Sequence, residues 1–176
     1  GKRQTLFEIH YRANLANYVE NGGWLWVDGC GPPFRLDNLP LPVDFVYKWN
    51  SGDQVIVAEG HFLLTKVYAL SASEVLYLGH LNARDRTFDS YSEYEVITMR
   101  TYPTVIAAQY GRGMFVISAE DIFCAIQETN MADPSAWNPG YGYSDPDFKF
   151  AYNVLASAIP LEIEATIDID PNTLQL

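Results

Sequence analysis

The sequence predicts an all-β fold, an antiparallel β-sandwich, jelly roll or barrel, with one short helix near residues 119–129. Three observations predict it. Runs of β-branched, aliphatic and aromatic residues recur along the chain at short spacing. Turn signals rich in Gly, Pro and Asn separate them. Several runs also alternate apolar with polar residues, the period of a strand with one buried face.

The elements follow in order. Residues 5–15 place Leu6, Glu8, His10 and Arg12 on one parity and Phe7, Ile9, Tyr11 and Ala13 on the other, which predicts a half-buried strand. Trp24 to Val27, between Gly22-Gly23 and Asp28-Gly29, reads as the next. Residues 29–44 hold Pro32, Pro33, Pro40 and Pro42, so they form a long ordered loop rather than a helix. Residues 43–49, 55–64, 66–69 and 75–78 read as strands, with Asn50 to Asp53 as the turn between the first two. Residues 91–102 alternate, residues 104–110 are β-branched and apolar, and Gly111-Arg112-Gly113 separates them from a strand over 114–117.

Ser118 suits a helix N-cap, Glu120 and Asp121 suit its positive end, and Ile122, Phe123 and Ile126 form an apolar face. Residues 132–147 are turn-rich and predict a loop carrying Trp137, Tyr141 and Tyr143. Residues 148–158 fit a short helix or a strand equally. Residues 161–169 alternate cleanly, with Leu161, Ile163, Ala165, Ile167 and Ile169 on one face. No repeat or linker divides the chain, so residues 1–176 read as a single β-rich domain.

Composition excludes several classes of function. With 48% hydrophobic and 19% charged residues in 176, the chain can build a core and is neither disordered nor a disulfide-dense mini-protein. Its formal charge of −11 is uneven: residues 1–112 carry ten basic and twelve acidic side chains, whereas residues 113–176 carry Lys149 against ten acids. Such a surface repels nucleic acid and anionic lipid, so neither direct nucleic-acid binding nor membrane insertion is expected. No signal peptide or spanning segment stands out. The first residue is Gly, which suggests a fragment of a longer chain or a processed product. Cys30 and Cys124 lie far apart with no CxxC partner, so either one disulfide or two buried thiols fits, and a zinc site does not.

Catalytic motifs are missing. No GxSxG, Walker A or dinucleotide fingerprint occurs, and Gly111-Arg112-Gly113 reads as a hairpin glycine pair, with an anion on Arg112 as the sharper alternative. Cys30 in Asp28-Gly29-Cys30-Gly31-Pro32 reads as a loop thiol rather than a nucleophile. His10, His61 and His80 lack the HxH spacing of a strand-built metal site. Asp168 and Asp170 share a strand face and make the one Ca²⁺ candidate; otherwise no cofactor is expected. Aromatics are in excess at 14%. Trp24 and Trp26 share a face and read as core, while Trp137, Tyr141 and Tyr143 suit a recognition loop that stacks on a sugar or a protein surface.

Residues 159–171, an alternating strand after Pro160 that ends at Pro171, resemble the closing strand of icosahedral RNA-virus coat proteins. Residues 5–15 have the same character, and together the two segments span about 25 residues of the 176. The resemblance implies a non-enzymatic capsid surface domain, outer or protruding, that self-associates about symmetry axes on the virion and attaches to a host receptor or glycan. The basic arm of such proteins is not present in this chain. Two alternatives stand beside it. One is a β-barrel with an aromatic-lined pocket that binds a small molecule, as a binding protein or a cyclase or isomerase, with Glu59, His61 or Tyr77 as polar handles. The other is a carbohydrate-binding module.

Overall fold

No charged residue interrupts positions 103–110, and a strand that lacks polar alternation must be covered on both faces. The structure, a computed structural model, describes residues 6–28, 41, 45–47, 52–79, 86–88, 91–119, 122 and 146–159. Along them run α1 (Leu6–Glu20), β1 (Trp24–Asp28), β2 (Phe45–Tyr47), β3 (Val55–Ile56), α2 (Phe62–Thr65) and α3 (Ala72–Val75). β4 (Arg86–Phe88), β5 (Glu95–Met99), β6 (Pro103–Tyr110), β7 (Gly113–Ser118) and α4 (Pro146–Ala158) follow. β6 is buried from Pro103 to Ala108 and occupies the centre of a five-stranded sheet of order β1-β7-β6-β5-β3. β2 and β4 pair separately.

Alternation along each strand divides the core in two. Leu25, Val27, Ile106, Ala108, Phe115 and Ile117 face one side, where Val19 of α1, Phe88 and Tyr94 cover them. Trp24, Trp26, Val105, Ala107 and Val116 face the other, under Leu63 and Leu64 of α2, Val75 of α3, and Phe150 and Val154 of α4. Phe150 is fully buried and meets Trp26 edge-on, with ring centroids 5.6 Å apart. Truncating such a ring to Ala costs roughly 3–5 kcal/mol. The protein is therefore largely β, but helices cover both faces of its sheet.

Several expectations are corrected. The sheet is mixed rather than antiparallel throughout, because β1 runs parallel to β7, with Trp24 opposite Met114 and Val27 opposite Ile117. Residues 6–15 are not a strand but most of α1. Its covered positions are Arg12, Leu15, Ala16 and Val19, the i, i+3, i+4, i+7 stripe of a helix. α1 ends in a Schellman turn: the Gly22 N–H donates to Val19 O (2.9 Å), the Gly23 N–H donates to Tyr18 O (2.9 Å), and Gly22 takes φ +106°. The strand likeness to a coat protein thus loses one of its two segments.

Residues 66–69 form no strand, and of residues 55–64 only Val55 and Ile56 do. Residues 75–78 finish α3 and its turn, because Ser71 and Glu74 make a reciprocal capping box that starts a helix there. Residues 148–158 resolve as helix, and Pro146 and Asp147, expected in the loop, form its first turn. Strands over residues 24–27, 104–110 and 114–117 stand as expected. The proline-rich loop (apart from Leu41), most of the helix near 119–129 and the strand over 161–169 lie outside the described residues. No helix among the described residues is long and apolar enough to cross a membrane.

Candidate functional site

Strand register builds the floor of a pocket. Trp24 of β1 lies opposite Met114 of β7, which lies opposite Gln109 of β6, so the three form one row across the sheet. That row sits at the end of the face that α2, α3 and α4 cover, beyond Trp26 and Val116. α2 and the last turn of α4 overhang it with Phe62, Lys66 and Ser157, and the β6–β7 turn closes one side with Arg112. The cavity so formed measures about 410 Å³, within the usual range for small-molecule sites.

Each wall is held by specific bonds. Trp24 meets Phe62 edge-on at 5.9 Å between ring centroids. Asn153 of α4 is fully buried; its Oδ1 accepts from Val67 N (2.8 Å) and Tyr68 N (3.0 Å), and its Nδ2 donates to Tyr68 O (2.9 Å). These bonds fix the segment that carries Lys66 against α4. Asp147 accepts from Gly79 N (2.6 Å), and Lys149 pairs with Glu74, so α3 and α4 are tied as well.

Arg112 is placed by the end of α1. Its backbone N–H donates to Glu20 O (3.0 Å), and its Nη2 donates to Asn21 O (3.2 Å) and Asn21 Oδ1 (3.3 Å). A guanidinium at the negative end of a helix is electrostatically favoured. Arg112 and Lys66 both line the pocket, and no described residue lining it is acidic. Ser157 donates its hydroxyl to Asn153 O (2.7 Å), which leaves its oxygen as an acceptor only.

His61 adjoins this wall. Its ring stacks on Phe62 with centroids 4.1 Å apart, and its Nδ1 accepts the Leu63 N–H (3.2 Å) as the N-cap of α2. The neutral ring therefore carries its proton on Nε2, which lies 3.8 Å from Glu95. Burial holds its pKa below the ordinary value, and Glu95 opposes that shift only in part.

The opposite end of the β1–β7 pair is polar but structural. Trp26 Nε1 donates to Ser118 Oγ (3.2 Å), Ser118 Oγ donates to Asp28, and Asp28 also accepts from Ile122 N (3.2 Å). Ser118 is fully buried, so this ladder anchors the chain after β7 and presents no accessible nucleophile.

Of the residues singled out in the sequence, Trp24 and Arg112 come together in the pocket. Trp24 and Trp26, read as core, are both half-buried and pack against the core from its edge; Trp26 meets Phe150, whereas Trp24 faces the cavity. His61 adjoins the pocket, whereas Glu59 and Tyr77 are exposed and do not line it. Trp137, Tyr141, Tyr143, Asp168, Asp170, Cys30, Cys124, His80 and the His10 side chain lie outside the described residues. Among the described residues no group of three His, Cys, Asp or Glu could hold a metal ion. Phe62, Lys66, Gln109, Met114 and Ser157 carried no motif that marked them.

No family model matches the chain, and no curated protein does. Among solved structures it is similar to the cytoplasmic protein STM1381 from Salmonella typhimurium LT2, at 18% identity and a TM-score of 0.52. That likeness covers 84% of this chain and 60% of the Salmonella chain, so this chain spans less than two thirds of its length. At such identity it shows a shared fold and nothing of function. The cytoplasmic protein STM3548 from Salmonella typhimurium is similar at 16% identity and a TM-score of 0.48, over 84% of this chain and 59% of that one. An exo-beta-1,4-mannosidase, Op5Man5 from Opitutaceae bacterium strain TAV5, is similar at 10% and 0.44, over 84% and 23%. Both are too remote to bear on what this protein binds.

Proposed function

We propose that this domain is a recognition module that binds a small molecule in the pocket between β1, the β6–β7 turn, α2 and α4. One observation carries the reading: Trp24 and Phe62, set edge to face, share a 410 Å³ cavity with the polar side chains of Gln109, Lys66 and Arg112. Aromatic walls with a few placed polar groups are the usual make-up of a ligand site. Binding rather than catalysis is favoured because the lining hydroxyl, Ser157, donates its proton to Asn153 O, and no acidic residue or histidine is among the described residues that line the pocket. The capsid-surface and glycan readings rest mainly on segments outside the described residues, whereas the pocket reading rests on described ones.

The test is a fragment titration followed by the methyl signal of Met114 and the indole signal of Trp24. Flat aromatic fragments are expected to shift both signals, and Trp24→Ala to abolish the response. Fragments that move neither signal while the protein stays folded would sink the proposal.

A further inference from the structure

The geometry points to an anionic ligand: a flat ring system that carries a carboxylate or phosphate, with the anion held between Lys66 and Arg112. This rests on the pocket being the binding site. In a chain of net charge −11, a cavity with two cations and no acid among its described lining residues runs against the overall charge. Both cations are exposed, so they draw an anion to the aromatic wall by a salt-sensitive attraction.

Arg112 is set in place before a ligand arrives, whereas Lys66 is exposed and held only through the backbone beside it. Arg112 has its backbone N–H and one terminal nitrogen committed to Glu20 and Asn21, and a guanidinium has five donors, so others remain for an incoming anion. The helix end opposes that anion with only about half an elementary charge, against the full charge of the guanidinium. Lys66 follows α2 directly, and its neighbours Val67 and Tyr68 are clamped by Asn153. Its ammonium forms no ion pair among the described residues. A preorganised guanidinium such as that of Arg112 converts more of each hydrogen bond into affinity. The aromatic pair supplies the complementary demand, since Trp24 and Phe62 favour a ring over an extended chain.

Calorimetric titration of the whole chain with matched probes tests this. Indole-3-carboxylate is expected to bind about tenfold more tightly than neutral indole-3-carboxamide at low ionic strength, as one charge-assisted contact implies. High salt should shrink that preference. Lys66→Gln should reduce it to below about threefold, and Lys66→Arg should retain it. Of benzoate and phenyl phosphate, the tighter binder identifies the anion, and either ranking supports the proposal. Equal binding of the carboxylate and the carboxamide, with Met114 still shifted, overturns the anion assignment and leaves the pocket standing. Failure of every probe to bind overturns both.

Discussion

Gly113 lies so close to the last turn of α1 that a Cβ on it would sit 2.1 Å from the carbonyl oxygen of Val19. The carbonyl oxygen of Gly23 would be equally near. Both are backbone atoms and cannot swing aside, so Gly113→Ala must push the β6–β7 turn off the helix. The expected loss is about 3 kcal/mol or more, the upper end of overpacking effects. Gly52→Ala, at φ +109° but with open space around it, should cost about 1 kcal/mol. Denaturant midpoints of the two variants check the order, and equal losses would refute the close packing.

Lys149 and Ser71 hold the Glu74 carboxylate down to about pKa 2, from an ordinary value of 4.5. The folded value is the lower one, so the stabilisation is fully present above pH 4.5 and is lost as pH falls toward 2. Because the pair is partly exposed, its worth is about 1 kcal/mol. Wild type should exceed Glu74→Gln by that margin at neutral pH and converge with it near pH 2. A difference that persists at pH 2 would contradict the assignment.

His61 titrates in the same sense from a different cause. Burial lowers its folded pKa below 6.5, so an unfolded chain takes up the proton first as pH falls. Protonating Nδ1 would also remove the acceptor that caps α2. Stability should therefore drop as pH is lowered through 6.5, and His61→Asn, a cap that does not titrate, should flatten that slope. Parallel wild-type and variant stability curves between neutral pH and 5.5 would rule this out.

Tyr94 is buried, and among the described residues its hydroxyl finds no hydrogen-bond partner. Burial also drives its pKa upward, since a phenolate there would be desolvated. Removing an unsatisfied polar group relieves its desolvation cost, so Tyr94→Phe should be neutral or stabilising by about 1 kcal/mol. Thermal unfolding decides it, and a clear loss of stability would reveal a partner for the hydroxyl.

Legibility in the sequence followed how local each signal was. β1, β6 and β7 are dense in apolar residues and bounded by glycine turns, and they were readable. α1 was not, because residues 6–13 alternate by accident while the helical stripe only becomes plain once Leu15, Ala16 and Val19 are included. The start of α3 was written in Ser71 and Glu74, whose capping-box spacing the apolar run of residues 75–78 outweighed. The parallel pairing of β1 with β7 has no local signature, since its partners are far apart in the chain. The pocket shares that difficulty: Trp24 and Arg112 drew notice singly, but only the fold brings Phe62, Lys66 and Gln109 to them.

The parallel β1–β7 pair also sets an order of events. Trp26 and Ser118, joined across it, are 92 positions apart in the chain. β7 can close on β6 through a two-residue turn, but β1 must wait for that hairpin to exist. β1 precedes β7 in the chain yet finds its place after it, and until it does the edge of β7 stays open to any other strand.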